Sequence, residues 1–261
     1  MLKFSKANTK LKQLEQIDEL SVYLQNKRKV YSFDLLSGWS CPFAKDCLSK
    51  VHIIDGRKKI KDGPDTEFRC FSASQEVVFP AVYDNRKHNF DTLRVLGSSY
   101  DMALAISDDL PANLGINRIH VGGDFFSLKY MMAWIRVAEW NPDRLFYAYT
   151  KSLQYWLACL DSIPDNFVLT ASRGGRQDHL IDEHNLREAK VVFSEQEAID
   201  LGYEIDHDDS HAARPDLRNQ SFALLIHGTQ PKGSDASAAI KQLKADKVKF
   251  SYGKTTPLSG V

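Results

Sequence analysis

Short apolar runs alternate with helix-like segments along most of this chain, and this alternation limits the folds that it can adopt. The runs are 30–36, 116–121, 144–149, 167–171, 191–193 and 222–227. Between them lie segments such as 128–140, in which apolar residues recur at helical spacing. About six strand–helix units in succession are typical of a parallel sheet covered by helices. We therefore predict an α/β fold, a partial (β/α)6 barrel of the TIM type, with a doubly wound open sheet as the alternative.

A length of 261 residues allows one large domain or two small ones, and we predict a single domain. Its predicted parts are an N-terminal helix and basic turn at 1–29, a barrel-like βα core at 30–246 with a cysteine loop at 37–80, and a polar tail at 247–261. The N-terminal helix is expected at Lys12–Gln25, and one long helix at Phe90–Leu110. Inside the cysteine loop, Asp55-Gly56 lies between two short runs, which predicts a β-hairpin.

The overall charge is balanced, with 34 basic and 34 acidic residues. It gives no global electrostatic reason to expect binding to nucleic acid or to a membrane. No apolar run approaches the roughly 20 residues that span a bilayer, and the first ten residues lack the apolar core of a secretory signal. We therefore predict a cytoplasmic protein without a membrane partner, in which thiols stay reduced.

Three of the four cysteines lie in the cysteine loop, with the spacing C-x5-C-x22-C, and they are Cys41, Cys47 and Cys70. Clustered thiols in a reducing compartment favour metal chemistry over disulfides. Three thiolates can hold a [4Fe–4S] cluster and leave one iron open to a ligand. The fourth cysteine, Cys159, lies on an apolar helix face and is expected to pack as a small hydrophobic residue.

Two alternatives for the three thiols remain open. The first is a zinc site in which a histidine completes the ligand set, and the candidates are His52, His207 and His211. The second is that the thiols bind no metal. The segment from His207 to His211 is itself expected to be a solvated loop.

Polar residues follow the predicted strands at the point where each strand ends. They are Gly122-Gly123-Asp124, Thr150-Lys151, Ser172-Arg173 and His227-Gly228. Because the carboxyl ends of parallel strands meet at one edge of a sheet, we expect these residues to lie near the cysteine loop. The two glycines would let a ligand approach the backbone, and Asp124 could hold a cationic amine. Within the preceding strand, His120 is expected to be a hydrogen-bonded core residue.

This arrangement resembles the radical S-adenosylmethionine enzymes. In that superfamily three cysteines after the first strand hold a [4Fe–4S] cluster, and S-adenosylmethionine binds the open iron. A Gly-Gly-acidic motif after the second strand contacts its amino group, and Gly122-Gly123-Asp124 corresponds to that motif. The cysteine spacing differs from the usual C-x3-C-x2-C of the superfamily. The resemblance implies cofactor contacts from these three residues. The strand-end positions of Lys151, Ser172 and Arg173 make them further candidates for cofactor contacts at the same edge.

A second resemblance, over residues 30–230, is to the phage "gene product 88" family. The residues that carry it are Ser40-Cys41-Pro42, Ala44, Cys47, Arg69-Cys70-Phe71, His120, Gly123-Asp124-Phe125 and Tyr149-Thr150-Lys151. It implies a viral origin and a place in the host cytoplasm.

From these features we predict an iron–sulfur protein with redox or radical chemistry at an open iron, S-adenosylmethionine as a further cofactor, and an electron donor as a partner. The alternative function is a zinc-stabilised binding or scaffold protein without catalysis.

Overall fold

The computed structural model of this protein describes residues 1–248, so most of the predicted tail at 247–261 lies outside the described residues. The strands are β1 Phe4–Lys6, β2 Lys29–Phe33, β3 Ser49–Ile54, β4 Arg57–Asp62, β5 Leu114–Ile119, β6 Leu145–Thr150, β7 Phe167–Ser172, β8 Glu188–Val192, β9 Glu204–Ile205 and β10 Phe222–Leu225. The α-helices are α1 Phe71–Val78, α2 Pro80–Arg94, α3 Ser99–Asp108, α4 Leu128–Glu139, α5 Leu153–Ala158, α6 His179–Glu183, α7 Glu195–Asp200, α8 Ser210–Ala213 and α9 Asp235–Ala245. Short 3₁₀ helices lie at Leu11–Gln16, Asp18–Leu24, Leu160–Ser162 and Pro215–Leu217. Within residues 1–248 no helix is both long and apolar enough to cross a membrane.

Eight strands form one sheet in the order β1-β2-β5-β6-β7-β8-β10-β9. The edge strand β1 is antiparallel to β2, and the other pairs are parallel. The predicted α/β fold with a mostly parallel sheet is therefore confirmed. From β2 to β10 the strands follow chain order, and the two-residue strand β9 departs from it. A doubly wound sheet would reverse its order at a switch point, so that alternative is wrong.

Both faces of the sheet are covered, but by different parts of the chain. On one face Phe146 of β6 packs in the core that contains Trp134 of helix α4. On the other face Tyr147 packs in a core that contains Leu14 and Leu20 from the N-terminal segment. Because successive residues of a strand point to opposite faces, β6 is apolar almost continuously.

The N-terminal segment is not the α-helix that we predicted at Lys12–Gln25. It forms two 3₁₀ helices that meet at Ile17. Its apolar residues Leu11, Leu14, Ile17 and Leu20 recur every three residues, and a 3₁₀ helix with three residues per turn places such residues above one another.

The long helix predicted at Phe90–Leu110 is also wrong, because two helices occupy this region. Helix α2 ends at Arg94 and α3 begins at Ser99. The side chain of Ser98 accepts a hydrogen bond from the backbone N–H of Asp101 at 3.0 Å, which caps the second helix.

The hairpin predicted in the cysteine loop is confirmed. Strands β3 and β4 pair antiparallel, with Ile54 opposite Arg57. Asp55 and Gly56 between them both have positive φ, 52° and 70°. Two such residues are the requirement of a tight type I′ turn.

Candidate functional site

A cavity of about 650 Å³ opens at the carboxyl ends of the parallel strands. The predicted site residues that line it are Cys41, Cys47, Cys70, Gly122, Gly123, Asp124, Lys151 and Ser172. They come from the segments that follow β2, β5, β6 and β7, and His227 and Gly228 line it after β10. The volume is in the range of small-molecule and cofactor sites. The strand order thus brings together residues that are up to about 190 positions apart in the sequence.

The cysteine loop is held against the segment that follows β7 by backbone contacts. The N–H of Asp46 donates to the carbonyl of Gly174 at 3.0 Å, and the N–H of Arg176 donates to the carbonyl of Phe43 at 2.8 Å. Cys70 directly precedes helix α1, and its N–H donates to the hydroxyl of Ser49 at 3.1 Å. These contacts fix the two ends of the loop that carry the thiols.

Burial is the main influence on the three thiols. It raises the pKa of Cys41 well above its usual value, and the charge of Asp124 and the other two thiols raise it further. Burial raises the pKa of Cys47 to about 11, although the ammonium of Lys151 acts in the opposite direction. Burial also raises the pKa of Cys70, although hydrogen bonds from the backbone N–H groups at the start of α1 act in the opposite direction. The thiols are close enough to influence one another across one cavity.

The three thiols are not arranged as a single-ion metal centre. Among residues 1–248, no group of three or more His, Cys, Asp or Glu side chains is placed so that it could hold a metal ion. Each of the three cysteines keeps part of its surface exposed. All three cysteines line the same cavity.

The Gly-Gly turn after β5 is shaped by three neighbours that the sequence did not reveal. The carboxylate of Asp34 accepts hydrogen bonds from the N–H of Val121 at 2.6 Å and of Gly122 at 3.1 Å. The N–H of Gly122 is therefore engaged within the fold, although Gly122 itself lines the cavity. A Cβ on Gly122 would lie 2.7 Å from the guanidinium carbon of Arg86, and one on Gly123 would lie 2.7 Å from the Ser40 hydroxyl oxygen.

Asp124 is buried at the centre of the site. Its Oδ1 accepts hydrogen bonds from the hydroxyl of Thr150 at 2.6 Å and from the N–H of Phe125 at 2.7 Å. Its Oδ2 accepts one from the N–H of Lys151 at 2.9 Å. Burial raises the pKa of Asp124 to about 6, against the effect of these donors. An ionised carboxylate has about four acceptor positions, so one position on Oδ2 remains for a ligand.

Lys151 and Ser172 lie together, and Arg173 contributes only its backbone. The Lys151 ammonium donates to the carbonyl of Ser172 at 2.9 Å, to its hydroxyl at 3.0 Å and to the carbonyl of Arg173 at 2.6 Å. The Arg173 guanidinium instead pairs with Glu188 and Asp182. The side chain of Arg173 is not among those that line the cavity, and its cofactor contact stays a prediction.

The three histidines that we considered as zinc ligands do not line the cavity that the thiols line. His52 packs against Trp39 with ring centroids 5.1 Å apart, His207 is exposed, and His211 pairs with Glu204 at 2.8 Å. His120 shares a hydrogen bond at 3.0 Å with Tyr130, as expected of a core residue.

Cys159 is 6% exposed in the core on the helix side of the sheet, as predicted.

Three charged residues that sequence analysis missed also line the cavity, and they are Lys10, Arg118 and Asp209. Lys10 forms an ion pair with the buried Asp209 at 2.5 Å, and Arg118 pairs with the same carboxylate. The cations hold the pKa of Asp209 well below its usual value despite its burial. The three residues are far apart in the sequence and form no motif, so a single sequence carries no signal for them.

Comparison with known proteins shows that the chain belongs to the Gene product 88 family, whose model matches residues 2–247. The chain is 34% identical over 122 residues to the Gene 88 protein of Mycobacterium phage L5, a match that covers 44% of this chain and 44% of that protein. It is 33% identical over 122 residues to the Gene 88 protein of Mycobacterium phage D29, covering 44% and 43%. The matched part is less than half of either relative. No solved structure matches the chain. The resemblance to the phage family is confirmed, and the relatives support a phage origin.

Proposed function

We propose that this member of the Gene product 88 family is an iron–sulfur protein whose Cys41, Cys47 and Cys70 hold a [4Fe–4S] cluster. The observation that carries the proposal is the common cavity. Three thiols from two separate parts of the cysteine loop line it together with the Gly-Gly-Asp turn of the neighbouring strand. Cysteine thiolates are the protein ligands of such clusters.

The arrangement of the thiols suits a cluster better than a single ion. Zinc needs its ligands at about 2.0–2.3 Å from one point. A four-iron cluster is larger, and each of its thiolates binds a different iron, so ligands that lie around a cavity suffice. The histidines considered for a zinc site lie elsewhere, so the alternative of a zinc-stabilised scaffold has less support.

The residues around the thiols have complementary roles in this proposal. A cluster requires thiolates, and burial alone favours the neutral thiols. The ammonium of Lys151 favours the thiolate of Cys47, and it is itself held in place by acceptors at the end of β7. The free acceptor position on Asp124 is suited to a ligand ammonium group such as the one in S-adenosylmethionine.

We further propose that the sheet is a partial (β/α)6 barrel of the radical S-adenosylmethionine type. Six parallel strands in chain order, with the cysteine loop after the first, support this reading. When bound, a cluster with one open iron supplies an electron for the reductive cleavage of S-adenosylmethionine. An electron donor would then be a necessary partner. In the chain itself, the buried carboxylate of Asp124 would orient the amine.

The first experiment is anaerobic purification, followed by iron and sulfide analysis and visible absorbance. We expect iron, sulfide and a broad visible band in the wild type, and loss of all three in Cys41→Ala, Cys47→Ala and Cys70→Ala. Cys159→Ala is the matched control, because it removes a thiol outside the cavity, and it should keep the cluster. Zinc without sulfide, or dependence on Cys159, would contradict the proposal.

Binding of S-adenosylmethionine is tested separately by calorimetry on the cluster-loaded protein. We expect binding in the wild type and at least about tenfold weaker binding in Asp124→Asn, since a charge-assisted hydrogen bond is lost. If the protein holds a cluster but does not bind S-adenosylmethionine, a radical-enzyme function is excluded. The remaining function for the cluster is then electron transfer.

A further inference from the structure

One face of the β3–β4 hairpin carries a concentration of positive charge. Paired residues of an antiparallel ribbon share a face, and the pairs Lys50–Lys61, His52–Lys59 and Ile54–Arg57 lie on the same one. The opposite face packs on the protein through Val51, which is 1% exposed. We call the first set of six residues the basic face.

The basic face is not neutralised within the protein. Among residues 1–248 its cations form no ion pair with an acidic side chain, whereas Asp62 of the hairpin pairs with Arg69. Asp62 lies on the packed face, where its carboxylate also accepts from Ser49 at 2.8 Å. The chain as a whole has no net charge, so this surface is a local excess.

The pairing of like charges has a cost for the fold. Lys50 lies directly opposite Lys61, and like charges at such positions destabilise a sheet. A two-stranded ribbon is only marginally stable by itself, which makes the repulsion more significant. An anion bound to the basic face would relieve this repulsion.

An exposed aromatic ring lies beside this charge. Trp39 is 45% exposed, and its indole N–H donates to the carbonyl of Val51 at 3.0 Å. The ammonium of Lys50 lies 4.8 Å from the ring centroid, and the ring of His52 packs against it. The ring is thus held at the edge of the basic face and not buried in the core.

We infer that the basic face and Trp39 form a binding surface for single-stranded nucleic acid. Cations along a ribbon match the phosphate backbone, and an exposed aromatic ring offers a stacking surface for an unpaired base. The combination favours a single strand, because the bases of a duplex are not available for stacking. This inference does not depend on what the cavity binds.

The position of this surface connects it to the cavity. The hairpin is the segment between Cys47 and Cys70, and Trp39 precedes Cys41 by two residues. A nucleic-acid strand bound to the basic face would therefore lie on the cysteine loop itself, between the segments that carry Cys47 and Cys70. The balanced total charge, which gave no reason to expect nucleic-acid binding, conceals this arrangement.

The test is fluorescence anisotropy with a labelled oligo(dT) of about 16 nucleotides, the upper end of common single-strand sites. The salt concentration is varied for the wild type and for Lys59→Gln/Lys61→Gln. Loss of two phosphate contacts should weaken binding about tenfold and reduce the slope of log K against log salt by about 1.4. Both lysines are exposed and are not in the cavity lining, so folding should be retained.

Matched control variants distinguish binding at this surface from the effect of removing any two lysines or any exposed tryptophan. Lys241→Gln/Lys244→Gln removes two exposed lysines from α9 and should leave binding unchanged. Trp39→Ala should weaken binding about tenfold, whereas Trp140→Ala, which removes a tryptophan that is 43% exposed, should not.

Equal effects of the hairpin and α9 variants would overturn the inference. So would binding to vesicles of anionic lipid without binding to oligo(dT), which would indicate a membrane surface. Equal affinity for a duplex, with no effect of Trp39→Ala, would exclude the single-strand assignment.

Discussion

Substitution of Gly123 by alanine tests the close contact between the Gly-Gly turn and the cysteine loop. Gly123 has a φ of +97°, and an added Cβ would lie 2.7 Å from both the Cβ of Leu35 and the hydroxyl oxygen of Ser40. The positive φ costs an alanine about 1–2 kcal/mol. Overpacking adds about 1–3 kcal/mol, since Leu35 and Ser40 are buried and cannot move freely. We expect Gly123→Ala to lower the free energy of unfolding by about 2–5 kcal/mol.

Substitutions of two other glycines separate the backbone cost of a positive φ from the cost of overpacking. Gly56 has a φ of +70° with nothing within 4 Å of an added Cβ, so Gly56→Ala should cost only the backbone term of about 1–2 kcal/mol. Gly97 also has open space and lies outside the positive-φ region, so Gly97→Ala should be neutral or stabilise by up to about 1 kcal/mol.

The assay is equilibrium urea unfolding of the three variants and the wild type at one pH and one state of cofactor loading. The expected order of destabilisation is Gly123→Ala, then Gly56→Ala, then Gly97→Ala. If Gly123→Ala costs no more than Gly56→Ala, the crowding argument is refuted, and the turn does not pack against the cysteine loop as described.

Two further predictions concern buried charges. Glu76→Gln should lower the free energy of unfolding, measured in urea, by about 3–5 kcal/mol. The substitution leaves the buried guanidinium of Arg86, which lies 3.2 Å from Glu76, without its acidic partner. A decrease in the free energy of unfolding below about 1 kcal/mol would contradict this reasoning. Asp124 has a pKa of about 6 against an ordinary 3.8, so its contribution to stability is fully present below about pH 4 and is lost as the pH rises through about 6. Asp124→Asn should remove the pH dependence of stability that this carboxyl causes, roughly 3 kcal/mol. If the variant and the wild type show the same slope of unfolding free energy between pH 4 and 6, the raised pKa of Asp124 is refuted.

Several elements could be predicted because their signals are local. The hairpin follows from Asp55-Gly56, since few residue pairs tolerate two successive positive φ angles. Helix α4 follows from the helical spacing of its apolar residues, and its bounds at Leu128–Glu139 differ by one residue from the prediction. In the N-terminal segment the same approach failed, because a three-residue spacing fits a 3₁₀ helix as well as an imperfect α-helix.

The candidate site was predictable only in part, for a related reason. The residues at strand ends could be placed near one another, because parallel strands in succession end at the same edge. The direction of each side chain could not be predicted. Arg173 turns to Glu188 and Asp182, a choice set by where β8 and α6 lie and not by its neighbours in the sequence.

The sequence by itself determined the α/β class, the cysteine loop and the polar strand ends, since periodicity and turn chemistry act between residues close together in the chain. Only the tertiary structure decided which polar groups meet. Asp34 with Gly122 and Asp209 with Lys10 are contacts between residues that lie far apart in the chain, and they form only when the sheet has assembled. Electrostatic energy depends on distance in space, and that distance is defined only when the sheet has formed.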